Sequence, residues 1–274
     1  MLKISELYIY PIKSLGGVQV NTAVLTDRGF QYDRRWMLVD EQNRFLSQRE
    51  RAKMALLKVN ILSDGLKITN KITGSEIIIP FTPETEEFVD VVIWDDTCTG
   101  QFVSKKADKW FTNVLNINCR LVYMPDKSER QTDLRYTPAN SFTSFSDAYP
   151  FMIIGQSSLD DLNSKLDSPV PIDRFRPNIV FTGGDAYEED TMDRLVINHI
   201  IFHGVKLCAR CNIPTINQDD ATNSKEPSKT LATYRFKNNN VYLGQNLISE
   251  ELGSISVGDQ ISVLTTHTEE RFMI

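Results

Sequence analysis

Short apolar stretches rich in β-branched and aromatic residues alternate with turn-forming residues along the first third of this chain. The stretches predict strands at residues 7–10, 18–25, 36–39, 55–61, 66–69, 76–79 and 88–93. Many short strands leave many unpaired edges, and closing a sheet into a barrel removes those edges. We therefore predict a mainly β protein whose first third forms a closed or nearly closed β-barrel.

Helical spacing of apolar residues is found in only a few places. A stripe of tryptophan, phenylalanine, valine and leucine predicts a helix over 105–115. A second short helix is predicted over 157–166, with Ser157 as its N-cap and Asp160 completing a capping box. A third is predicted over 227–234, with a proline at its first position.

Strand patterns return in the second half of the chain. A polar stretch with two prolines, residues 125–140, marks a domain boundary or a long functional loop. Beyond it, strands are predicted at residues 178–181, 195–201, 205–207, 241–243 and 260–264. The fold class therefore stays mainly β, with a few short helices.

Composition and charge narrow the classes of function. The chain has 274 residues, 41% of them hydrophobic and 24% charged, which is typical of a globular protein with one large or two ordinary domains. A net charge of −6 argues against a nucleic-acid partner. Since no long apolar run or signal-peptide pattern is present, we expect no membrane span and a cytoplasmic location.

The strongest chemical feature is Leu207-Cys208-Ala209-Arg210-Cys211, which places two thiols three positions apart around an arginine. A nearby guanidinium stabilises a thiolate, which can act as a nucleophile, a redox group or a ligand of a soft metal. A buried apolar role and a thioredoxin-like redox pair are the alternatives. The extended context before a proline disfavours the redox pair, and too few further ligands are in place for a structural zinc site.

Basic residues recur at the ends of predicted strands, at Lys13, Arg34, Arg49 and Arg176. Each alone is explained by a solvated surface charge. Together, in a net-acidic chain, they favour a local site for an anion, and guanidinium and amine groups suit phosphate. Because no glycine-rich phosphate loop is present, that phosphate is not expected to belong to NAD or ATP.

Five short motifs resemble, in the same order, those of MOSC-domain proteins, the relatives of the molybdenum cofactor sulfurase C-terminal domain. The resemblance is in particular to the mitochondrial amidoxime-reducing component and its bacterial relatives. The motifs are Pro11-Ile12-Lys13-Ser14, Asp33-Arg34-Arg35-Trp36, Phe175-Arg176-Pro177-Asn178-Ile179-Val180, Cys208-Ala209-Arg210-Cys211, and Lys225-Glu226-Pro227 with Tyr234-Arg235. The resemblance implies an N-terminal MOSC β-barrel domain over 1–123, a MOSC domain over 124–266, and a bound molybdenum–pterin cofactor.

The resemblance also implies roles for single residues. Cys211 matches the molybdenum ligand, and Cys208 is treated as a neighbour of the ligand. Arg210 is expected to reinforce the Cys211 thiolate. The residues implied to hold the cofactor are Lys13, Ser14, Arg34, Arg176, Ala209 and Arg210. Asp147 matches an aspartate near the metal and is a candidate for proton handling, whereas Ala148 and Tyr149 replace hydroxyl residues of the animal proteins.

The function implied is the molybdenum-dependent reduction of small N-hydroxylated compounds, namely amidoximes, hydroxylamines and N-hydroxylated bases. The sequence holds no cysteine set for an iron–sulfur cluster, so a separate redox protein is expected to donate the electrons. One alternative is a non-catalytic carrier of molybdenum cofactor or sulfur that uses the same cleft. Another is a redox thiol protein in which Cys208 and Cys211 form a disulfide.

Overall fold

A computed structural model describes residues 1–138 and 140–268, and within these it contains nineteen strands and three α-helices. The mainly β prediction is confirmed. In the first half the strands are β1 Leu2–Ile9, β2 Val18–Val20, β3 Thr22–Thr26, β4 Gly29–Phe30, β5 Trp36–Val39, β6 Leu57–Ile61, β7 Gly65–Asn70, β8 Glu76–Pro80, β9 Phe88–Ile93, β10 Asp96–Phe102 and β11 Arg120–Tyr123. In the second half they are β12 Phe151–Gly155, β13 Ile179–Thr182, β14 Met192–Ile197, β15 Ile200–Ala209, β16 Phe236–Lys237, β17 Asn240–Ser249, β18 Gly253–Ser256 and β19 Gln260–Thr266.

The first helix, α1 Lys105–Leu115, has the bounds predicted from its apolar stripe. Ser104 caps it by accepting a hydrogen bond from the backbone N–H of Ala107. Asn116 ends it in the left-handed conformation, with a φ of 55°. Local signals at both ends agree with the periodicity, which is why the prediction is correct here.

The other two helices depart from prediction. The second, α2 Gln156–Asn163, has Gly155 at its N-cap, so the prediction that Ser157 caps it is wrong. The hydroxyl of Ser157 instead donates to the backbone oxygen of Gly184. The third helix, α3 Ser228–Ala232, is shorter than predicted, and its proline stands at the N-cap rather than at the first helical position.

Turns divide two of the predicted strands. The stretch predicted as one strand over 195–201 crosses the β14–β15 turn, where Asn198 and His199 both have positive φ. The stretch 18–25 likewise divides between β2 and β3, and 205–207 is only part of the ten-residue β15. Because β15 extends to Ala209, the cysteine motif begins on a paired strand rather than after it.

Seven strands form a closed ring in the order β12, β13, β1, β19, β14, β15 and β17, and pairing of β17 with β12 completes it. All but β1 come from the second half of the chain. Strand β1 lies between β13 and β19 and is antiparallel to both. Side chains such as Leu7, Phe181 and Phe202 fill the barrel interior and are almost fully buried. The N-terminal strand is therefore part of the barrel formed by strands of the second half.

The remaining strands of the first third form smaller sheets. One has the order β5-β11-β10-β9 and another the order β6-β7-β8, and both pack with α1 on a common core that includes Trp36 and Phe111. A third sheet pairs β3 with both β4 and β18. Pairing of β1 and β3 with later strands joins the predicted ranges 1–123 and 124–266.

None of the helices found in residues 1–138 and 140–268 is both long and apolar enough to cross a membrane.

Candidate active site

A polar cleft lies where loops of the N-terminal half meet the end of β15. It contains all eight residues that the sequence predicts for the site. These eight residues are Lys13, Ser14, Arg34, Asp147, Arg176, Ala209, Arg210 and Cys211. The sequence therefore located the cleft, whereas the separate roles given to these residues stay predictions.

The cysteine motif forms one wall of the cleft. Strand β15 carries Cys208 and Ala209, and Cys211 follows in a turn where its Sγ accepts from the backbone N–H of Ile213 at 3.5 Å. The Arg210 guanidinium points to the other thiol, with Nη1 2.9 Å from the Cys208 Sγ. The expected effect of Arg210 on the Cys211 thiolate therefore stays a prediction, while its direct contact is with Cys208. Burial, partly opposed by Arg210, raises the pKa of Cys208.

The cation beside Cys211 is Arg49, which approaches the cleft from the loop after β5. Its Nη2 donates to Asp147 Oδ2 at 2.6 Å, and its backbone oxygen accepts from Asn212 Nδ2 at 3.3 Å. Burial acts against its charge, but Asp147 and a hydrogen bond with Cys211 raise the Arg49 pKa. Arg49 thus links the cysteine loop to the aspartate.

Two cations hold Asp147. Lys13 Nζ donates to its Oδ1 at 2.6 Å, opposite the Arg49 contact. The backbone of its loop is fixed by Arg130, whose guanidinium donates to the carbonyl oxygens of Ser146 and Asp147. Burial alone raises a carboxyl pKa, but Lys13 and Arg49 hold the pKa of Asp147 far below its usual range. Although its side chain is 51% exposed into the cleft, Asp147 stays ionised at neutral pH.

Lys13 is the most buried cation of the cleft, with 4% of its surface exposed. Its ammonium donates to the backbone oxygen of Phe145 at 2.8 Å as well as to Asp147. Burial lowers the pKa of Lys13 to about 8, and the attraction of Asp147 limits that fall. Lys13 can therefore exchange a proton near neutral pH, which an ordinary lysine does not.

The opposite end of the cleft carries Arg34 and Arg176, stacked on the buried ring of Tyr10 at 4.4 and 4.3 Å from its centroid. Arg34 is paired with Asp33 at 2.6 Å. Arg176 donates from Nη1 to the backbone oxygen of Leu15, while its buried Nη2 has no partner among the described residues. Burial lowers the pKa of Arg176 to about 10.

The backbone at this end is strained. Ser14, Arg34 and Arg176 have φ angles of 66°, 49° and 56°, in the left-handed region that residues other than glycine rarely adopt. Such conformations persist only where the surrounding structure fixes them, and they cluster at ligand sites. Three predicted site residues share this property, which supports a binding function for the cleft.

Matches to known protein families agree with this architecture. The model described as "MOSC N-terminal beta barrel domain" matches residues 1–118, and the "MOSC domain" model matches residues 141–262. The chain belongs to the MOSC-domain family. This MOSC-domain protein is 30% identical to mitochondrial amidoxime-reducing component 1 of Mus musculus over 95% of its own length and 82% of that protein.

Two further relatives of this MOSC-domain protein have similar coverage. Mitochondrial amidoxime reducing component 2 of Rattus norvegicus is 31% identical over 94% of this chain and 82% of its own. Component 1 of Homo sapiens is 30% identical over 95% and 82%. Among solved structures, the YUAD protein of Bacillus subtilis is 13% identical over 95% of this chain and 94% of its own, with a TM-score of 0.44.

Two parts of the site were not predicted from the sequence. Arg49 was noted as one basic residue among several, but nothing local linked it to Cys211 or Asp147. Tyr10, which supports two arginines, resembles any aromatic residue at a strand end. Only the spacing of Pro11-Ile12-Lys13-Ser14 directly after Tyr10 indicated that this region belongs to the site.

Proposed function

We propose that this protein is a molybdenum-cofactor-dependent reductase of small N-hydroxylated compounds. The observation that carries the proposal is a partly exposed thiol, Cys211, in the same cleft as five cationic side chains. A soft anionic donor suits molybdenum, and clustered cations suit a phosphorylated ligand. The sequence relatives, whose names state amidoxime reduction, support the same assignment.

The cleft fits such a cofactor in two respects. The Arg176 Nη2 and Arg210 Nε atoms are buried polar groups with no partner among the described residues, and both residues line the cleft. Unpaired buried donors are costly, so they favour an anionic or hydrogen-bond-accepting ligand. The thiol of Cys211, in the same cleft, would supply a thiolate ligand to the molybdenum of such a cofactor.

Residue roles follow from position in the cleft. Arg34, Arg176 and Ser14 hold the phosphate end, where the stacking on Tyr10 keeps the two guanidinium groups in place. Ala209 and Arg210 border the ligand beside Cys211. When bound, the molybdenum cofactor supplies two-electron reduction of the substrate N–O bond. The protein orients the cofactor and limits which substrates reach it.

Proton handling divides between two neighbouring residues. Asp147 is held ionised by Lys13 and Arg49, so it serves to fix these cations and to accept hydrogen bonds from substrate. Lys13, whose pKa is about 8, holds a proton on Nζ that it can release towards the cleft. The proton-handling role predicted for Asp147 is therefore proposed to belong to the Lys13–Asp147 pair.

A separate redox protein is proposed as the electron donor, as the resemblance to the amidoxime-reducing component implies. The cytoplasmic location stays a prediction. The named relatives are mitochondrial proteins.

The test is reduction of benzamidoxime by protein produced in a molybdate-fed, cofactor-competent host, with an artificial electron donor. Turnover that requires molybdenum and is lost in Cys211→Ser supports the reductase. A molybdenum-loaded protein that reduces no N-hydroxylated compound indicates the cofactor carrier instead. Turnover that survives removal of molybdenum and is lost in Cys208→Ser indicates the disulfide protein.

A further inference from the structure

Trp94 lies in the turn between β9 and β10, at a position where glycine is typical. Strands β9 and β10 form a hairpin in which Ile93 pairs with Asp96, which leaves Trp94 and Asp95 as the turn. Trp94 has a φ of 55°. In two-residue hairpins the first turn position with positive φ is typically glycine, and a bulky residue there is an outlier. The turn itself therefore does not explain the tryptophan at this position.

The ring of Trp94 reaches the candidate active site. Its indole Nε1 lies 3.4 Å from Asp147 Oδ1, and the Arg49 guanidinium lies 4.5 Å from its centroid. The ring packs at an angle of 59° against Phe45, with centroids 5.0 Å apart. Since Arg49 also contacts Cys211, one guanidinium joins Trp94 to the thiol. The hairpin thus delivers an aromatic surface from the N-terminal half to the mouth of the cleft.

The ring is both fixed and open. Contacts with Arg49, Phe45 and Asp147 restrain its orientation, yet 44% of Trp94 is exposed. Covering the exposed part of this ring with an apolar ligand surface would be favourable, because it removes apolar area from water. A restrained indole face is suited to stacking with a planar group, because little conformational entropy is lost on binding.

We propose that Trp94 is a substrate-binding residue whose open face stacks on the planar, unsaturated part of an N-hydroxylated substrate. The proposal rests on the proposed reductase function and narrows its substrate class. Planar aryl amidoximes and N-hydroxylated bases are favoured over small aliphatic amidoximes. Asp147 and Arg49, next to the ring, accept and donate hydrogen bonds to the polar end of the same molecule.

Kinetics with paired substrates test the proposal on cofactor-loaded protein. Trp94→Gly suits the positive φ of the turn, so it removes the ring with little harm to the hairpin. We expect the KM for benzamidoxime to rise about 2- to 12-fold, as for loss of one aromatic pair, while the KM for acetamidoxime changes little. Trp94→Phe should recover most of the difference between the two substrates.

Phe88→Ala is the matched control. Phe88 is 52% exposed and begins strand β9, which ends just before Trp94. The two residues are therefore about 20 Å apart along the hairpin. This variant should leave both KM values unchanged. Equal rises in KM for the aryl and the aliphatic substrate in Trp94→Gly, or the same aryl-selective rise in Phe88→Ala, overturn the proposal.

Fluorescence separates this proposal from the reductase function. Trp36 is fully buried and Trp110 is half-buried, so a ligand stacked at the cleft should quench Trp94 selectively. Titration with benzamidine, which cannot be reduced, should quench the emission saturably, while acetamidine should not. Trp94→Phe should abolish that response. Saturable quenching without any turnover would support stacking on Trp94 and contradict the reductase function. Turnover of benzamidoxime without quenching would support the reductase function and contradict stacking on Trp94.

Discussion

We expect the buried cation Arg176 to contribute to ligand binding rather than to the stability of the fold. It is 8% exposed, and no carboxylate of the described chain forms an ion pair with it. Burial lowers its pKa from 12.5 to about 10, which corresponds to a cost of roughly 3 kcal/mol for keeping the charge in the folded protein at neutral pH. We predict that Arg176→Met does not destabilise the cofactor-free protein.

The magnitude follows from two opposing contributions. Replacement relieves the roughly 3 kcal/mol charge cost, but it removes the hydrogen bond to the Leu15 backbone oxygen, worth about 1–3 kcal/mol. Methionine keeps the apolar stem and adds no backbone strain beyond that already present at a φ of 56°. The expected free energy of unfolding is therefore unchanged or higher by up to about 2 kcal/mol.

Arg235 provides the matched control. It is 2% exposed, and its Nη2 lies 2.5 Å from Asp190 Oδ2, a carboxylate that is itself buried. Arg235→Met removes this ion pair from a buried carboxylate, so it should lower the free energy of unfolding by about 3–5 kcal/mol. Two buried arginines are thus expected to respond in opposite ways.

The assay is urea unfolding of the cofactor-free proteins, with molybdenum per chain measured separately after production in a cofactor-competent host. Arg176→Met should retain wild-type stability and lose most of its molybdenum. A loss of more than about 2 kcal/mol, comparable to the effect in Arg235→Met, would refute the reasoning, since Arg176 would then be a structural residue. Full molybdenum content in Arg176→Met would also refute it.

Two further predictions concern the other end of the cleft. Cys211→Ser should lose molybdenum while Cys208→Ser keeps most of it, as read by metal analysis; equal losses would contradict single-thiol ligation. Because the folded pKa of Lys13 is about 8 and the unfolded value is 10.5, its contribution to the free energy of unfolding should increase as pH rises from about 8 to about 10.5. Lys13→Met should remove that increase from unfolding curves measured across this range. The Asp147 carboxylate partly offsets the lowering of the Lys13 pKa. Asp147→Asn should therefore lower that pKa further and shift the increase in the free energy of unfolding to lower pH; an unchanged pH range would contradict the Lys13–Asp147 ion pair.

Local sequence signals predicted an element correctly where residues within that element determine where it begins and ends. Helix α1 follows from its apolar spacing and its capping residues, because i, i+3 and i+4 neighbours meet within a single element. Helix α2 shows where such signals fail. Ser157 matches the capping pattern, but its hydroxyl binds Gly184 O across the fold, so a distant partner overrides the local preference.

The ordered motifs predicted the contents of the cleft better than its internal contacts. Cys211, Lys13 and Asp147 were expected in one site and line the same cleft. Arg210 was expected to act on Cys211, yet it faces Cys208, while Arg49 contacts Cys211. Neighbours in sequence on an extended segment point in different directions, so spacing alone does not decide which side chains meet.

The sequence by itself determined the mainly β class, helix α1, the family motifs and eight of the residues that line the cleft. Tertiary structure alone decided that β1 completes the seven-strand barrel, that Arg49 meets Asp147 and the Cys211 loop, and that Trp94 meets Asp147. The physical reason is the separation along the chain over which each kind of interaction acts. Helical periodicity and turn chemistry act over a few residues. The ion pairs of Asp147 instead join positions 98 and 134 residues apart, β1 pairs with strands of the second half, and only the packed chain selects among such partners.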